Sequence, residues 1–282
     1  MTGADRGAET TRDAASEVDL GDTPPVGPDG HAEVPDGEAQ RDDAPGPEDT
    51  LTPPRYPETV STCGQPPYRW VSPATMGEIV DYEYMAEWSL SKELMALAIV
   101  AAGLDGVIEA TYGVDIYRVR FTTQNLGEPI EATGVLAVPQ LEDNDALETH
   151  AVVIMGPTSG FTDICAGSAT DANARAATVY ATQGQIVMVP DYIGKTSMGG
   201  DGGRIHPYMV SEASAMVGWD GLRAGLSVLS DEGRATHHDG RVVLWGASQG
   251  GHAVYAVERY APYYAPEFEL VAAVTLIAPG AV

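Results

Sequence analysis

The sequence predicts an α/β fold: a mostly parallel sheet flanked by helices, preceded by an antiparallel hairpin. Three observations predict it. Four continuous apolar runs, AVVIM (151–155), IVMVP (186–190), VVLWG (242–246) and LVAAVTLIA (270–278), have the composition of strands buried on both faces. Helix-like stretches near 171–182, 211–230 and 250–260 alternate with them. Ahead of them, DIYRVRF (115–121) alternates apolar and polar residues and IEATGVLAVP (130–139) reads as its partner strand, with the turn NLGEP between.

The elements before and between these runs follow the same logic. Residues 76–104 carry helix-like spacing, with Leu90, Leu94, Leu97 and Val100 expected on the packed side and Gly103 as a stop. Order is expected to begin near Cys63. Residues 1–60 hold 15 acidic and 4 basic residues, are rich in Pro and Gly, and carry few large apolar side chains. Such a segment buries too little surface to offset its ordering entropy, so it is expected to be disordered. The expected division is therefore a tail over 1–60 and an α/β domain over 61–282.

Charge narrows the function. The 282 residues carry 41 acidic and 15 basic side chains, a net charge of −26. Phosphate binding needs clustered Lys and Arg, so no nucleic-acid partner is expected. The same excess opposes binding to an anionic membrane surface by charge. The longest near-apolar run, 94–104, is about half of what a spanning helix needs. The start MTGADRGAET lacks the basic and apolar stretches of a signal peptide. Two cysteines, Cys63 and Cys165, without a CxxC pair suggest no zinc site, and spacing leaves open whether they are bridged. GKT (194–196) has Val189 where a phosphate loop needs Gly, and no G-x-G-x-x-G follows a strand. No metal or organic cofactor is expected.

The chemistry is expected at GASQG (246–250), between the VVLWG strand and a helix. Glycines at 246 and 250 permit a tight strand-to-helix turn that lifts the Ser248 hydroxyl into the open. The N–H of Gln249, at the start of the helix, can stabilise an oxyanion. A second donor is expected from GPTSGFTDICAGS (156–168), the loop after AVVIM, with Thr158 and Ser159 best placed.

PTSGFTDICAGS, VPDYIGKTSMGGDGGRIHPYM and WGASQGGHA, in this order, resemble the secretory lipase (lipase A-like) branch of the α/β-hydrolases. The hairpin YRVRFTTQNLGEPIEATGVLAVP is similar to that branch too, and the resemblance covers about residues 65–282. It implies Ser248 as nucleophile, with Gln249 and the Thr158–Ser159 region as oxyanion hole. It also implies lipid or other carboxylic ester substrates, an acyl-serine intermediate, and a mostly secreted family. One departure is Gly156-Pro157, where members often carry His-Gly; Pro157 has no N–H to donate.

In this fold the triad acid and base follow the serine in the chain. Here one helix and one strand follow Ser248, so an incomplete domain without its C-terminal strands and lid is expected. Its open sheet edge would then make the chain poorly soluble or partner-dependent. His150, His237 and His238 precede strands and are expected far from the reactive edge. His252 is expected to pack on its helix. His206 and Asp191 are at the correct end of the sheet and are a weaker substitute for the triad. The rival readings are a serine peptidase on the same fold and a non-catalytic fragment or scaffold.

Overall fold

The computed structural model describes residues 68–142, 145–200 and 203–279. The tail over 1–60 and Cys63 lie outside the described residues, all of which belong to the unit Leu51–Val282. Among the described residues, seven strands form one sheet: β1 (Ile79–Tyr84), β2 (Gly113–Asn125), β3 (Glu128–Gln140), β4 (Leu147–Met155), β5 (Ile186–Pro190), β6 (Thr236–Ala247) and β7 (Glu269–Leu276). Their spatial order is β1-β2-β3-β5-β4-β6-β7. β1, β2, β3 and β5 pair antiparallel in turn, while β5, β4, β6 and β7 run parallel.

Four α-helices among the described residues cover the sheet: α1 (Lys92–Ala101), α2 (Ala172–Ala181), α3 (Ser211–Asp231) and α4 (Gln249–Tyr264). The apolar runs of β4, β5 and β6 are continuous because successive side chains serve two cores. Val152 and Ile154 of β4 pack in the cluster that holds Met95 and Ile99 of α1 and Ala174 and Ala177 of α2. Ala151, Val153 and Met155 pack in the other, with Trp219 and Leu222 of α3 and Val254 and Val257 of α4. Among the described residues no helix is long and apolar enough to cross a membrane.

The helix-like stretch at 76–104 needs correction. Residues 79–84 are strand β1, and the helix begins only at Lys92 after the Ser91 cap, whose hydroxyl accepts from Leu94 N–H. Leu94, Leu97 and Val100 are 51%, 66% and 60% exposed, while Met95 and Ile99 are buried. The helix is apolar on most of its circumference, so periodicity could not choose a face. Contact with β2 and β3 chose the Met95–Ile99 pair, spaced i and i+4. A smaller correction is that His150, His237 and His238 lie within the first residues of β4 and β6 rather than before them. The expectation that 270–278 is a strand buried on both faces fails: β7 forms an edge of the sheet, with Val271, Val274 and Leu276 exposed, because nothing among the described residues covers those side chains.

A buried carboxylate ties α3 to the hairpin. Asp220 accepts from Thr123 Oγ1 at 2.7 Å and Tyr264 OH at 2.9 Å, and pairs with Arg223 at 2.9 Å. Burial raises its pKa from the ordinary 3.8 to about 7, outweighing these donors, which pull it down. The folded chain thus keeps a proton that the unfolded chain has released. This stabilising term is complete below about pH 4 and is lost as pH rises through about 7. Asp220→Asn removes the term. The stability difference between the variant and the parent is expected to change by up to about 1.4 kcal/mol per pH unit between pH 4 and 7. Urea unfolding across that range measures it, and parallel pH curves for the two proteins would contradict the assignment.

Candidate active site

The parallel strands end together at the edge where β6 turns into α4. Ser248 sits between them with φ 56° and ψ −120°. That left-handed φ is strained for a residue with a Cβ. Its surroundings hold it there. Ser248 N–H donates to Leu276 O at the end of β7 (2.9 Å), and Ser248 O accepts from His252 N–H (3.2 Å). Backbone packs against the turn from both sides. A Cβ on Gly246 would lie 2.2 Å from Gly250 O, and one on Gly250 would lie 1.9 Å from Met155 O and 2.9 Å from Gly156 O. These close approaches are the reason for both glycines.

The same contact brings the loop after β4 to the turn. Tyr192 OH donates to Gly156 O at 2.8 Å, fixing the start of that loop. Thr158 Oγ1 lies 3.5 Å from Tyr208 OH, and Ser159 Oγ donates to Cys165 O at 2.8 Å. The Ser159 hydroxyl proton is therefore committed to a carbonyl, while the oxygen accepts from Lys195 Nζ at 3.2 Å. Cys165 is a free thiol, held below the usual thiol pKa first by its hydrogen bond with the Thr162 hydroxyl.

Gln249 opens α4 and is buried. Its N–H lies in the first helical turn, where no helical carbonyl reaches it, and it donates to no backbone acceptor among the described residues. Its side-chain Nε2 lies 2.8 Å from His206 Nε2. His206 is buried too, and its Nδ1 lies 3.0 Å from Ile193 O. Desolvation lowers the pKa of His206, with Lys195 adding to the effect.

The structure does not join His206 to Asp191. Asp191 is buried elsewhere, accepting from Thr133 Oγ1 at 2.6 Å, Ser168 N–H at 3.1 Å, Asn173 Nδ2 at 3.3 Å and the Ser168 hydroxyl. Burial pushes its pKa up. His252 follows in α4 with its ring unbonded among the described residues, and desolvation lowers its pKa. His150, His237 and His238 sit at the starts of β4 and β6, the end opposite Ser248. No described histidine or carboxylate hydrogen-bonds the Ser248 hydroxyl.

A cavity of about 330 Å³ lies beside the turn, lined by Pro157, Ser159, Asp191, Lys195, Trp245 and Ala247. The buried Lys195 ammonium stands 5.0 Å over the Tyr192 ring, and desolvation lowers its pKa. A larger cavity of about 440 Å³ between α1 and α2 shares no residue with the loops at Ser248. Reactive groups in an open parallel sheet collect at the strand ends, so the smaller cavity is the relevant one.

The chain is similar to known proteins. The model of the secretory lipase family matches residues 163–280. The rice cell wall degrading esterase LipA from Xanthomonas oryzae is 26% identical with a TM-score of 0.58, over 70% of this chain and 49% of that one. This is an α/β-hydrolase fold. A putative hydrolase from Legionella pneumophila shares the hydrolase fold at 21% identity and a TM-score of 0.59, over 72% of this chain and 52% of that one. The chain spans about half the length of these solved structures. No curated protein matches it.

Within the hydrolase fold, sequence reading named the turn and the loop that meets it. It missed two contacts: Lys195 with Ser159, and His206 with Gln249. IGKTSMGGDGGRIHPY carries both residues, but no spacing rule relates positions 195 and 206 to 159 and 249.

Proposed function

We propose that this chain carries the nucleophilic centre of a carboxylic ester hydrolase. Ser248 Oγ attacks the ester carbonyl carbon, and its proton passes to a general base. The carbonyl oxygen becomes an oxyanion that the Gln249 N–H and a donor from the Thr158–Ser159 segment stabilise. Collapse expels the alcohol and leaves an acyl-serine, which water hydrolyses. The base and the acid that orients it are assigned outside the described residues. The observation that carries this reading is the left-handed φ of 56° at Ser248, held by backbone packed against Gly246 and Gly250. The match to secretory lipases supports an ester substrate and action outside the cytoplasm.

A fluorophosphonate probe with p-nitrophenyl ester turnover, applied to protein that contains the base and the acid as well, tests the reading. Covalent labelling that maps to Ser248, with ester cleavage, is the expected result. Labelling with peptide cleavage and no ester cleavage would assign a peptidase. Absence of both labelling and turnover would leave a scaffold.

A further inference from the structure

The His206–Gln249 contact admits one assignment of hydrogens. Ile193 O can only accept, so His206 Nδ1 carries the proton and donates to it over 3.0 Å. In the neutral ring Nε2 is then an acceptor, and it takes a proton from Gln249 Nε2 at 2.8 Å. Turning the Gln249 carboxamide over would set its oxygen against the Nε2 lone pair. The other half of the carboxamide has no partner: Gln249 Oε1 is buried and unbonded. Gln249 is 2% exposed. One hydrogen bond therefore orients a buried side chain whose own backbone N–H opens α4 next to Ser248.

The ring that makes this bond is itself held. Tyr192 lies 5.3 Å from it, Tyr208 6.0 Å, and Phe161 is stacked at 6.2 Å between centroids. Tyr192 also binds Gly156 O, at the start of the loop that touches the turn. The charged group acting on the ring is Lys195, which disfavours a second proton, as does burial.

We infer that His206, as the neutral Nδ1–H tautomer, is a positioning residue that holds the Gln249 side chain and thereby aims the N–H following Ser248 at the developing oxyanion. This rests on the reading of Ser248 as nucleophile. His206 touches neither substrate nor reacting atoms; it acts through Gln249. A second proton on His206 would turn Nε2 into a donor and force the carboxamide over, so the arrangement belongs to the neutral ring.

Three substitutions separate this role from packing. In His206→Gln the side-chain oxygen falls near the Nε2 position and can accept from Gln249. In His206→Asn the amide reaches Ile193 O but not Gln249. His206→Phe keeps ring volume and neither bond. With p-nitrophenyl acetate, His206→Gln is expected to stay within about threefold of the parent kcat. His206→Asn and His206→Phe are expected to lose about tenfold or more in kcat with KM within about threefold. Gln249→Leu, which deletes the bond from the other side, is expected to match the Asn variant. Equal losses in the Gln and Asn variants, or no loss in any, overturn the inference.

Amide and imidazole NMR read the same contact without turnover. The parent and His206→Gln are expected to show one sharp Gln249 backbone amide resonance, broadened or split in His206→Asn and His206→Phe. Long-range proton–nitrogen spectra of the parent are expected to show the Nδ1–H tautomer. An Nε2–H tautomer, or an unchanged Gln249 amide in all variants, overturns the inference. A parent that neither labels nor turns over defeats the reading of Ser248, while these spectra still decide the role of His206.

Discussion

Ser248→Ala is expected to abolish fluorophosphonate labelling and to lower ester turnover by about 10⁴-fold or more. On the proposed reading, removing the hydroxyl removes the attacking atom, so no acyl-enzyme forms. The loss is expected in kcat, because the contacts of the cavity beside Ala247 remain. The substitution also separates chemistry from strain. Alanine keeps a Cβ at φ 56°, whereas Ser248→Gly relieves it. Ser248→Gly is therefore expected to be as inactive as the alanine variant but more stable than it by about 1 kcal/mol. Stopped-assay kinetics and urea unfolding of the two variants check both halves. Substantial turnover by Ser248→Ala would place the nucleophile elsewhere.

The second large effect is on folding. Gly250→Ala places a methyl 1.9 Å from Met155 O and 2.9 Å from Gly156 O. The obstacle is the backbone of β4, whose residues 151–155 pair with β6 in register. No side-chain rotation relieves such a clash; either α4 leaves the sheet or β4 loses its place. A cost above about 4 kcal/mol is expected, enough to abolish a cooperative transition in a marginally stable domain. Gly246→Ala meets Gly250 O at 2.2 Å and is expected to behave alike. Gly106→Ala is the control, since no atom lies within 4 Å of its added methyl. Thermal unfolding by circular dichroism distinguishes them. A Gly250→Ala protein that melts within a few degrees of the parent would show that the turn can open, and the packing argument would fail.

The buried strands were legible because a strand covered on both faces must be apolar at every position, as in AVVIM and IVMVP. The turn at Ser248 was legible because two glycines between such a strand and a helix have few other uses. The face of α1 was not legible, because LMALAIVAAGL is apolar on nearly all sides and only the sheet beneath it could select Met95 and Ile99. β1 was hidden because IVDYEY has no distinct edge within a longer mixed stretch.

The site divides along the same line. By itself the sequence determined the β2–β3 hairpin, the buried strands β4 to β6, the strand-to-helix turn and the residue at its tip, since each follows from local composition and spacing within about a dozen residues. Only the tertiary structure decided that Asp191 turns to Thr133, Ser168 and Asn173 while His206 turns to Gln249. Both face the same end of the sheet, and either could have met the other by chain position alone. The choice between them was made by loops folding over the strand ends, where Asp191 takes partners 18 to 58 residues away and His206 one 43 residues away, and local sequence carries no record of such distances.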